Sequence, residues 1–144
     1  MLTQPSILNR ERSAILLVDP SSTFRQKVST AFQNTSFRLL AASTALNALK
    51  IVSSLEQPAL AIVEIKLPDM NGLELARRLY KIKPLPIIIT TTSSDTLTTV
   101  SALTLVAEDV MRKPFDEREL VARAIRLLSR VVRPPVEHKM SLSR

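Results

Sequence analysis

The sequence predicts an α/β fold of the doubly wound type, in which five parallel strands lie between two layers of helices. Short apolar runs alternate five times with segments of helical periodicity. The runs are continuously apolar, as in strands that are buried on both faces of a parallel sheet. Strands that alternate with helices of about 10–15 residues form parallel βαβ units with right-handed crossovers.

The first strand is predicted over residues 14–18, where five apolar residues precede Asp19. Ser21 or Ser22 can cap the first helix. The apolar side chains of this helix recur at helical spacing, at Phe24, Val28, Ala31 and Phe32. A second short strand is predicted over residues 37–41.

The second helix is predicted over residues 44–55, because one stripe of this segment is apolar. Pro58 separates it from the third strand, residues 60–65. Turn chemistry at residues 68–72 precedes a third helix over residues 73–83, which two prolines end.

The fourth strand, residues 87–91, is the most strand-like stretch of the sequence. A fourth helix is predicted over residues 94–105, although its five β-branched residues lower the helix propensity. The fifth strand spans residues 109–112. After a loop, Asp116 caps a last helix over residues 117–132.

The chain of 144 residues is long enough for one domain, predicted over residues 14–132. Residues 1–13 are interpreted as a polar N-terminal arm, and residues 133–144 as a linker or flexible tail. The arm lacks the apolar segment of a signal peptide, and no apolar run approaches the roughly 20 residues of a membrane span. We therefore expect a cytoplasmic protein.

The composition argues against several kinds of site. The absence of cysteine excludes disulfides and thiolate metal sites, and His138 is the only histidine. Gly72 is the only glycine, so a Gly-rich phosphate loop cannot form. We expect Gly72 to supply backbone freedom where the chain enters the third helix. The net charge of +7 permits nucleic-acid binding, but 3% aromatic residues argue against a base-stacking platform.

Polar residues stand at the ends of four predicted strands. Asp19 ends the first, Glu64 lies at the end of the third, Thr91 ends the fourth, and Lys113 follows the fifth. In doubly wound sheets the functional crevice lies outside the carboxyl ends of the strands. Two acids, a hydroxyl and an ammonium are therefore expected to converge on one crevice.

These residues lie in or beside four short motifs that, in this order, resemble the receiver domain of bacterial two-component response regulators. The motifs are Ile15-Leu16-Leu17-Val18-Asp19, Pro68-Asp69-Met70-Asn71-Gly72-Leu73-Glu74-Leu75, Pro86 through Thr91, and Lys113-Pro114-Phe115. The resemblance covers about residues 13–132 and implies a flavodoxin-like (βα)5 three-layer sandwich with strand order 2-1-3-4-5. Residues 108–123 look most like receivers attached to winged-helix DNA-binding domains.

In this family a histidine kinase phosphorylates an aspartate of the third strand, and that aspartate holds Mg²⁺ together with two acids after the first strand. The resemblance implies that Asp19 corresponds to one metal-binding acid. It likewise implies that Thr91 and Lys113 correspond to the hydroxyl and the lysine that bind the phosphoryl oxygens. Two positions depart from the pattern: Pro20 replaces the second acid, and Glu64 replaces the phosphoacceptor.

Both departures act against phosphoryl transfer. Mg²⁺ demands near-ideal octahedral oxygen geometry, so the loss of an acid at Pro20 weakens its site, and no cofactor is expected. The additional methylene of Glu64 moves the carboxylate by more than about 1 Å, and such a misplacement can cost ~10²-fold in reactivity. Lys66 could neutralise the pocket by folding inward. Alternatively, Glu64 could imitate a phosphoryl group by pairing with Lys113 and hydrogen-bonding Thr91.

Further positions concern switching and assembly. Val110 stands where receivers commonly have a mobile aromatic residue, and Val106 where they usually have a glycine. Asp109 and Arg123 match positions that pair across a homodimer face in the winged-helix subclass. That face consists of the fourth helix, the fifth strand and the last helix. An ordinary surface ion pair is the alternative.

The predicted function is that of an atypical receiver, a phosphorylation-independent protein-interaction or dimerisation switch in signal transduction or transcription control. Its partner would be another protein or a second copy, with a fused or separate DNA-binding output. Two alternatives stay open: an ordinary phosphoreceiver in which Glu64 is a natural or engineered phosphomimic, and a basic regulator that binds nucleic acid. An enzyme is not expected, since no nucleophile–base pair is evident.

Overall fold

The computed structural model describes residues 13–54, 57–94, 99, 101 and 106–131. The strands are β1 (Ala14–Val18), β2 (Arg38–Ala42), β3 (Leu60–Glu64), β4 (Ile87–Thr91) and β5 (Asp109–Arg112). The helices are α1 (Ser22–Phe32), α2 (Ala45–Ser54), α3 (Gly72–Ile82) and α4 (Glu117–Val131). The label α4 thus denotes the predicted last helix and not the helix predicted over residues 94–105. The predicted N-terminal arm, most of the helix predicted over residues 94–105 and the C-terminal tail lie outside the described residues.

The sheet has the strand order β2-β1-β3-β4-β5, and all four neighbouring pairs are parallel. This result confirms the predicted doubly wound fold, and the observed ends of the elements agree with the predicted ends to within one residue. Chain order reverses between β1 and β3, so the crevice lies at their carboxyl ends. No helix in the described part of the chain is both long and apolar enough to cross a membrane.

Two apolar layers cover the sheet, because alternate residues of each strand face opposite sides. On one side, Leu16, Val63 and Ile89 pack with α2 and α3. On the other side, Leu17 and Ile62 pack with α1 and α4. All residues of β1, β3 and β4 are buried, which explains why these strands read as continuous apolar runs.

Gly72 is required for a reason other than the one predicted. Its backbone does not adopt a positive φ, so conformational freedom is not what this position demands. A Cβ atom on Gly72 would instead lie 2.1 Å from the Glu64 carbonyl oxygen and 2.7 Å from the Ile65 Cα. The Gly72 amide also donates to the Ile65 carbonyl at 2.7 Å. The start of α3 is therefore pressed directly against the end of β3.

The loop between β3 and α3 also holds the start of α2. The two carboxylate oxygens of Asp69 accept hydrogen bonds from the Ala45 and Leu46 amides, each at 3.0 Å. These donors are unsatisfied groups of the first turn of α2, so Asp69 caps a helix that is distant in sequence. The bonds to Ala45 and Leu46 lower the pKa of Asp69 from its ordinary value of 3.8.

We predict that Gly72→Ala destabilises the domain by about 1–3 kcal/mol, because the new methyl group overpacks against the backbone of β3. Helix propensity alone would give the opposite sign, a gain of up to ~1 kcal/mol. Urea unfolding measures the difference. Gln26→Ala on the exposed face of α1 is the control and should stay within about 0.5 kcal/mol of wild type. A stabilised Gly72→Ala protein would contradict the steric explanation.

We predict that Asp69→Asn destabilises the domain at pH 6 and that the difference from wild type shrinks as the pH falls below about 4. The pKa of Asp69 is depressed in the folded state, so its contribution is present above the ordinary value of 3.8 and disappears as the pH falls through the folded-state pKa. Urea unfolding of both proteins across this range tests the prediction. An equal deficit at pH 6 and at pH 3 would show that the charge of Asp69 is irrelevant.

Candidate functional site

The site lies where β1, β3 and β5 end. Asp19 follows β1 directly, Glu64 is the last residue of β3, and Lys113 follows β5. Asp19 is 1% exposed and Glu64 is 4% exposed. The Lys113 Nζ lies 2.7 Å from Asp19 Oδ2 and 2.8 Å from Glu64 Oε1. One ammonium thus bridges two buried carboxylates.

Asp19 is held by the residues that follow it. The Ser21 amide donates to Asp19 Oδ1 at 2.8 Å. The half-buried guanidinium of Arg25 donates through Nη1 to the Asp19 carbonyl at 2.6 Å. Arg25 therefore brings a second positive charge to the pocket. Lys66 was the cation suggested for this role by its position in the sequence.

The Glu64 side chain bends back toward its own backbone. Its Oε2 accepts a hydrogen bond from the Lys66 amide at 3.0 Å. The Lys66 side chain is exposed and does not form an ion pair with Glu64. Its Oε1 accepts the Thr90 hydroxyl at 3.4 Å, a long hydrogen bond. Thr90 is the register partner of Glu64 on β4, so the two side chains share one face of the sheet. Lys66 thus supplies an amide to this carboxylate and not a charge.

The Thr91 hydroxyl does not donate a hydrogen bond to Glu64, contrary to the prediction; Thr90 donates it instead. Adjacent strand residues point to opposite faces, so Thr90 occupies the position next to the carboxylate. The Thr91 hydroxyl accepts the Ser93 amide at 3.0 Å. The Thr91 carbonyl accepts the Lys113 amide at 2.7 Å, so Thr91 positions Lys113 through the backbone.

One aromatic ring borders the ammonium, and a second ring packs against the first. The Lys113 Nζ lies 4.0 Å from the centroid of the Phe24 ring, within the distance of a cation–π interaction. Phe115 meets Phe24 edge to face, with a centroid distance of 5.9 Å and an interplanar angle of 84°. The charged end of Lys113 is therefore shielded by carboxylates and by an aromatic face.

The pocket keeps Lys113 charged. Burial of the ammonium opposes its charge, but the hydrogen bonds and attraction from Asp19 and Glu64 outweigh this cost and raise the pKa of Lys113. Its side chain is only 17% exposed, so solvent screens these contacts weakly. Two carboxylates and two cations, Lys113 and Arg25, make the cluster formally neutral.

The described residues do not form a magnesium site of the kind that the family pattern implies. The bridging ammonium occupies Asp19 Oδ2 and Glu64 Oε1, and backbone amides occupy the other two carboxylate oxygens. Pro20, where the family pattern has an acid, offers no carboxylate. Within the described ranges, no group of three or more His, Cys, Asp or Glu side chains is arranged to hold a metal ion.

The proposed dimer-face residues contact each other within one chain. Arg123 Nη1 lies 3.1 Å from both carboxylate oxygens of Asp109, and Arg123 Nη2 donates to Glu119 at 2.7 Å. Val110 and Val106 are half-buried, on the strand and on the turn that precedes it. The remaining sequence candidate, His138, lies outside the described residues.

Sequence reasoning missed three residues of this pocket: Thr90, Arg25 and Phe24. Phe24 and Arg25 lie in the first helical turn after Asp19, and this closeness in sequence could have identified them as neighbours of the pocket. Phe24 was assigned only to the apolar stripe of the helix. Thr90 could be identified only from the register that sets it opposite Glu64.

Comparison with known proteins agrees with this fold. The model of the response regulator receiver domain family matches residues 15–125. The chain is 30% identical over 122 residues to a transcriptional regulatory protein CpxR homolog of Haemophilus influenzae, covering 85% of this chain and 53% of the relative. It is 32% identical over 126 residues to the DNA-binding response regulator MtrA of Mycolicibacterium paratuberculosis, covering 88% and 56%.

Solved structures show the same architecture. A CheY-like receiver domain protein from Methanospirillum hungatei superposes with a TM-score of 0.76 at 27% identity, covering 82% of this chain and 94% of that one. The BeF3-activated DrrB receiver domain superposes with a TM-score of 0.74 at 26% identity, covering 81% and 97%. The chain spans about half the length of the curated relatives that it matches.

Receiver domains of response regulators are signalling domains. The family model covers most of the chain, and the sheet order and the strand-end residues fit the same assignment. The chain therefore belongs to the response regulator receiver domain family.

Proposed function

We propose that this receiver domain works without phosphorylation, as an atypical receiver that presents one fixed pocket state to a protein partner. The observation that carries the proposal is the contact of Lys113 with both Asp19 and Glu64, at 2.7 and 2.8 Å. In a phosphorylated receiver the lysine contacts a phosphoryl group, an anion that can be added and removed. Here the anion is a permanent side chain.

The satisfied state of the pocket supports this proposal. Each oxygen of Asp19 and Glu64 already accepts a hydrogen bond from within the chain. A phosphodonor or Mg²⁺ would have to displace these contacts before it could reach the carboxylates. The absence of an acid at Pro20 removes a compensating ligand.

The partner proposed for the domain is another protein or a second copy of this chain. The curated relatives include a transcriptional regulatory protein and a DNA-binding response regulator, and the chain spans about half their length. By analogy, the domain would regulate a fused or separate DNA-binding output. Homodimerisation through the predicted face, to which β5, α4 and the helix predicted over residues 94–105 belong, would require the internal pair of Asp109 and Arg123 to be shared or exchanged.

Incubation of the wild-type protein with acetyl phosphate and Mg²⁺ tests the proposal. We expect no hydroxylamine-labile phosphate and no shift of the melting temperature with Mg²⁺, because the pocket groups are paired with one another. A phosphorylatable receiver treated in parallel is the positive control. Labile phosphate on the wild-type protein would refute phosphorylation-independent function.

The variant Glu64→Asp separates this proposal from the alternative of an ordinary receiver with a phosphomimetic side chain. The alternative predicts that Asp at position 64 restores phosphorylation, because the rest of the site would be intact. Our proposal predicts that it does not, since Pro20 still lacks the carboxylate that magnesium requires. Efficient labelling of Glu64→Asp would favour the phosphomimic.

A double-mutant cycle measures whether Glu64 is a fixed structural charge. We predict that Glu64→Gln and Lys113→Met each destabilise the domain by about 2–4 kcal/mol and that the double variant loses about 1–3 kcal/mol less than the sum. The matched control is the exposed pair Glu74 and Arg78, which should couple by at most about 0.5 kcal/mol. Equal coupling in both pairs would contradict a fixed role for Glu64.

A further inference from the structure

The face of Phe24 lies beside the ammonium that bridges the two carboxylates. Lys113 Nζ is 4.0 Å from the ring centroid, and the lysine side chain is 17% exposed. Cation–π attraction grows as the cation is desolvated. The ring therefore adds a third favourable contact to the ammonium, beside those of Asp19 and Glu64.

Ser21 and Phe115 fix the position of this ring. The Ser21 amide donates to the Asp19 carboxylate at 2.8 Å, and the Ser21 hydroxyl accepts the Phe24 amide at 3.1 Å. The same residue thus anchors both Asp19 and the start of α1. Phe115 holds the ring from the other loop, with its edge contact at 5.9 Å. A closed chain of contacts joins Asp19, Ser21, Phe24 and Lys113.

An aromatic face favours an ammonium over a hydrated metal ion at this position. Mg²⁺ requires oxygen ligands in octahedral geometry and keeps several of its waters. The Phe24 ring offers no oxygen, and it lies 4.0 Å from the point where the positive charge resides. A hydrated ion placed between Asp19 and Glu64 would meet this ring.

We propose that Phe24 is the specificity-determining residue of the pocket: it makes Lys113 the resident cation and excludes a divalent metal ion. The proposal rests on the proposed metal-independent function and deepens it, since it adds a barrier to metal binding that is separate from Pro20 and Glu64. Restoring the two family acids is then insufficient to restore magnesium affinity.

The test compares the variants Pro20→Asp/Glu64→Asp and Pro20→Asp/Glu64→Asp/Phe24→Leu of the 144-residue chain by calorimetric titration with Mg²⁺ alone. We expect Phe24→Leu to lower the Kd at least about fivefold, the equivalent of one cation–π contact. A smaller change, or tighter binding with Phe24 present, overturns the proposal. Tight Mg²⁺ binding by the wild-type protein would refute both the proposed function and this proposal, whereas an unchanged Kd on Phe24→Leu overturns only the role of Phe24, so the two failures are distinguishable.

Phe37→Leu in the same double-variant background is the matched control. Phe37 is partly buried in the same apolar layer as Phe24, but it directly precedes β2 and so lies at the amino end of the strand, away from the pocket at the carboxyl ends. It removes the same atoms and should change the Kd less than twofold. An equal gain from Phe37→Leu would show general loosening of the domain and overturn the proposal.

Nuclear magnetic resonance of the single variants provides a readout that does not depend on metal binding. In the wild-type protein, the Lys113 Hε protons should be shifted upfield by the Phe24 ring current, and Phe24→Leu should move them downfield. Phe37→Leu should leave them in place. Identical Lys113 shifts in the wild-type and Phe24→Leu proteins would show that the ring does not hold the ammonium and would overturn the proposal.

Discussion

The ammonium of Lys113 lies between two buried carboxylates, and the carboxyl edge of the sheet is organised around that contact. Its Nζ is within 2.8 Å of both Asp19 and Glu64. Without this cation, two negative charges would share a site with little solvent, which is costly unless they are paired. The contact joins the ends of β1 and β3 to the loop after β5, three segments that are distant in sequence but adjacent because parallel strands end at one edge.

In the proposed function, the same contact holds the receiver fold in one state. Phosphorylation of an aspartate normally replaces its single carboxylate charge with a phosphoryl group of about −1.5 to −2. Under the proposed function this pocket is not switched by phosphorylation, because Lys113 already pairs with Asp19 and Glu64 while Arg25 binds the Asp19 carbonyl. A domain that is not switched by phosphorylation can still transmit information by binding a partner, because the extent of binding depends on the partner's concentration.

The loop after Glu64 links the pocket to the helical layer. Glu64 accepts the Lys66 amide, and Lys66 pairs with Asn71 in an isolated antiparallel bridge. Within this turn Asp69 caps α2, while Gly72 allows α3 to start against the backbone of β3. The pocket carboxylate, the cap of α2 and the start of α3 therefore share one short segment, so a change at Glu64 is expected to affect the start of both helices.

The sequence by itself determined the fold, because continuous apolar runs and helical stripes specify which faces are buried. It also identified Asp19, Glu64 and Lys113, since residues that end parallel strands must meet at one edge. Only the tertiary structure decided which neighbours they contact: Thr90 replaced Thr91, and Arg25 replaced Lys66. The physical reason is that hydrogen-bond partners depend on strand register and on side-chain direction across distances of a few ångströms. Spacing along the chain leaves both undetermined, as it did for Gly72, where steric contact and not backbone freedom sets the requirement.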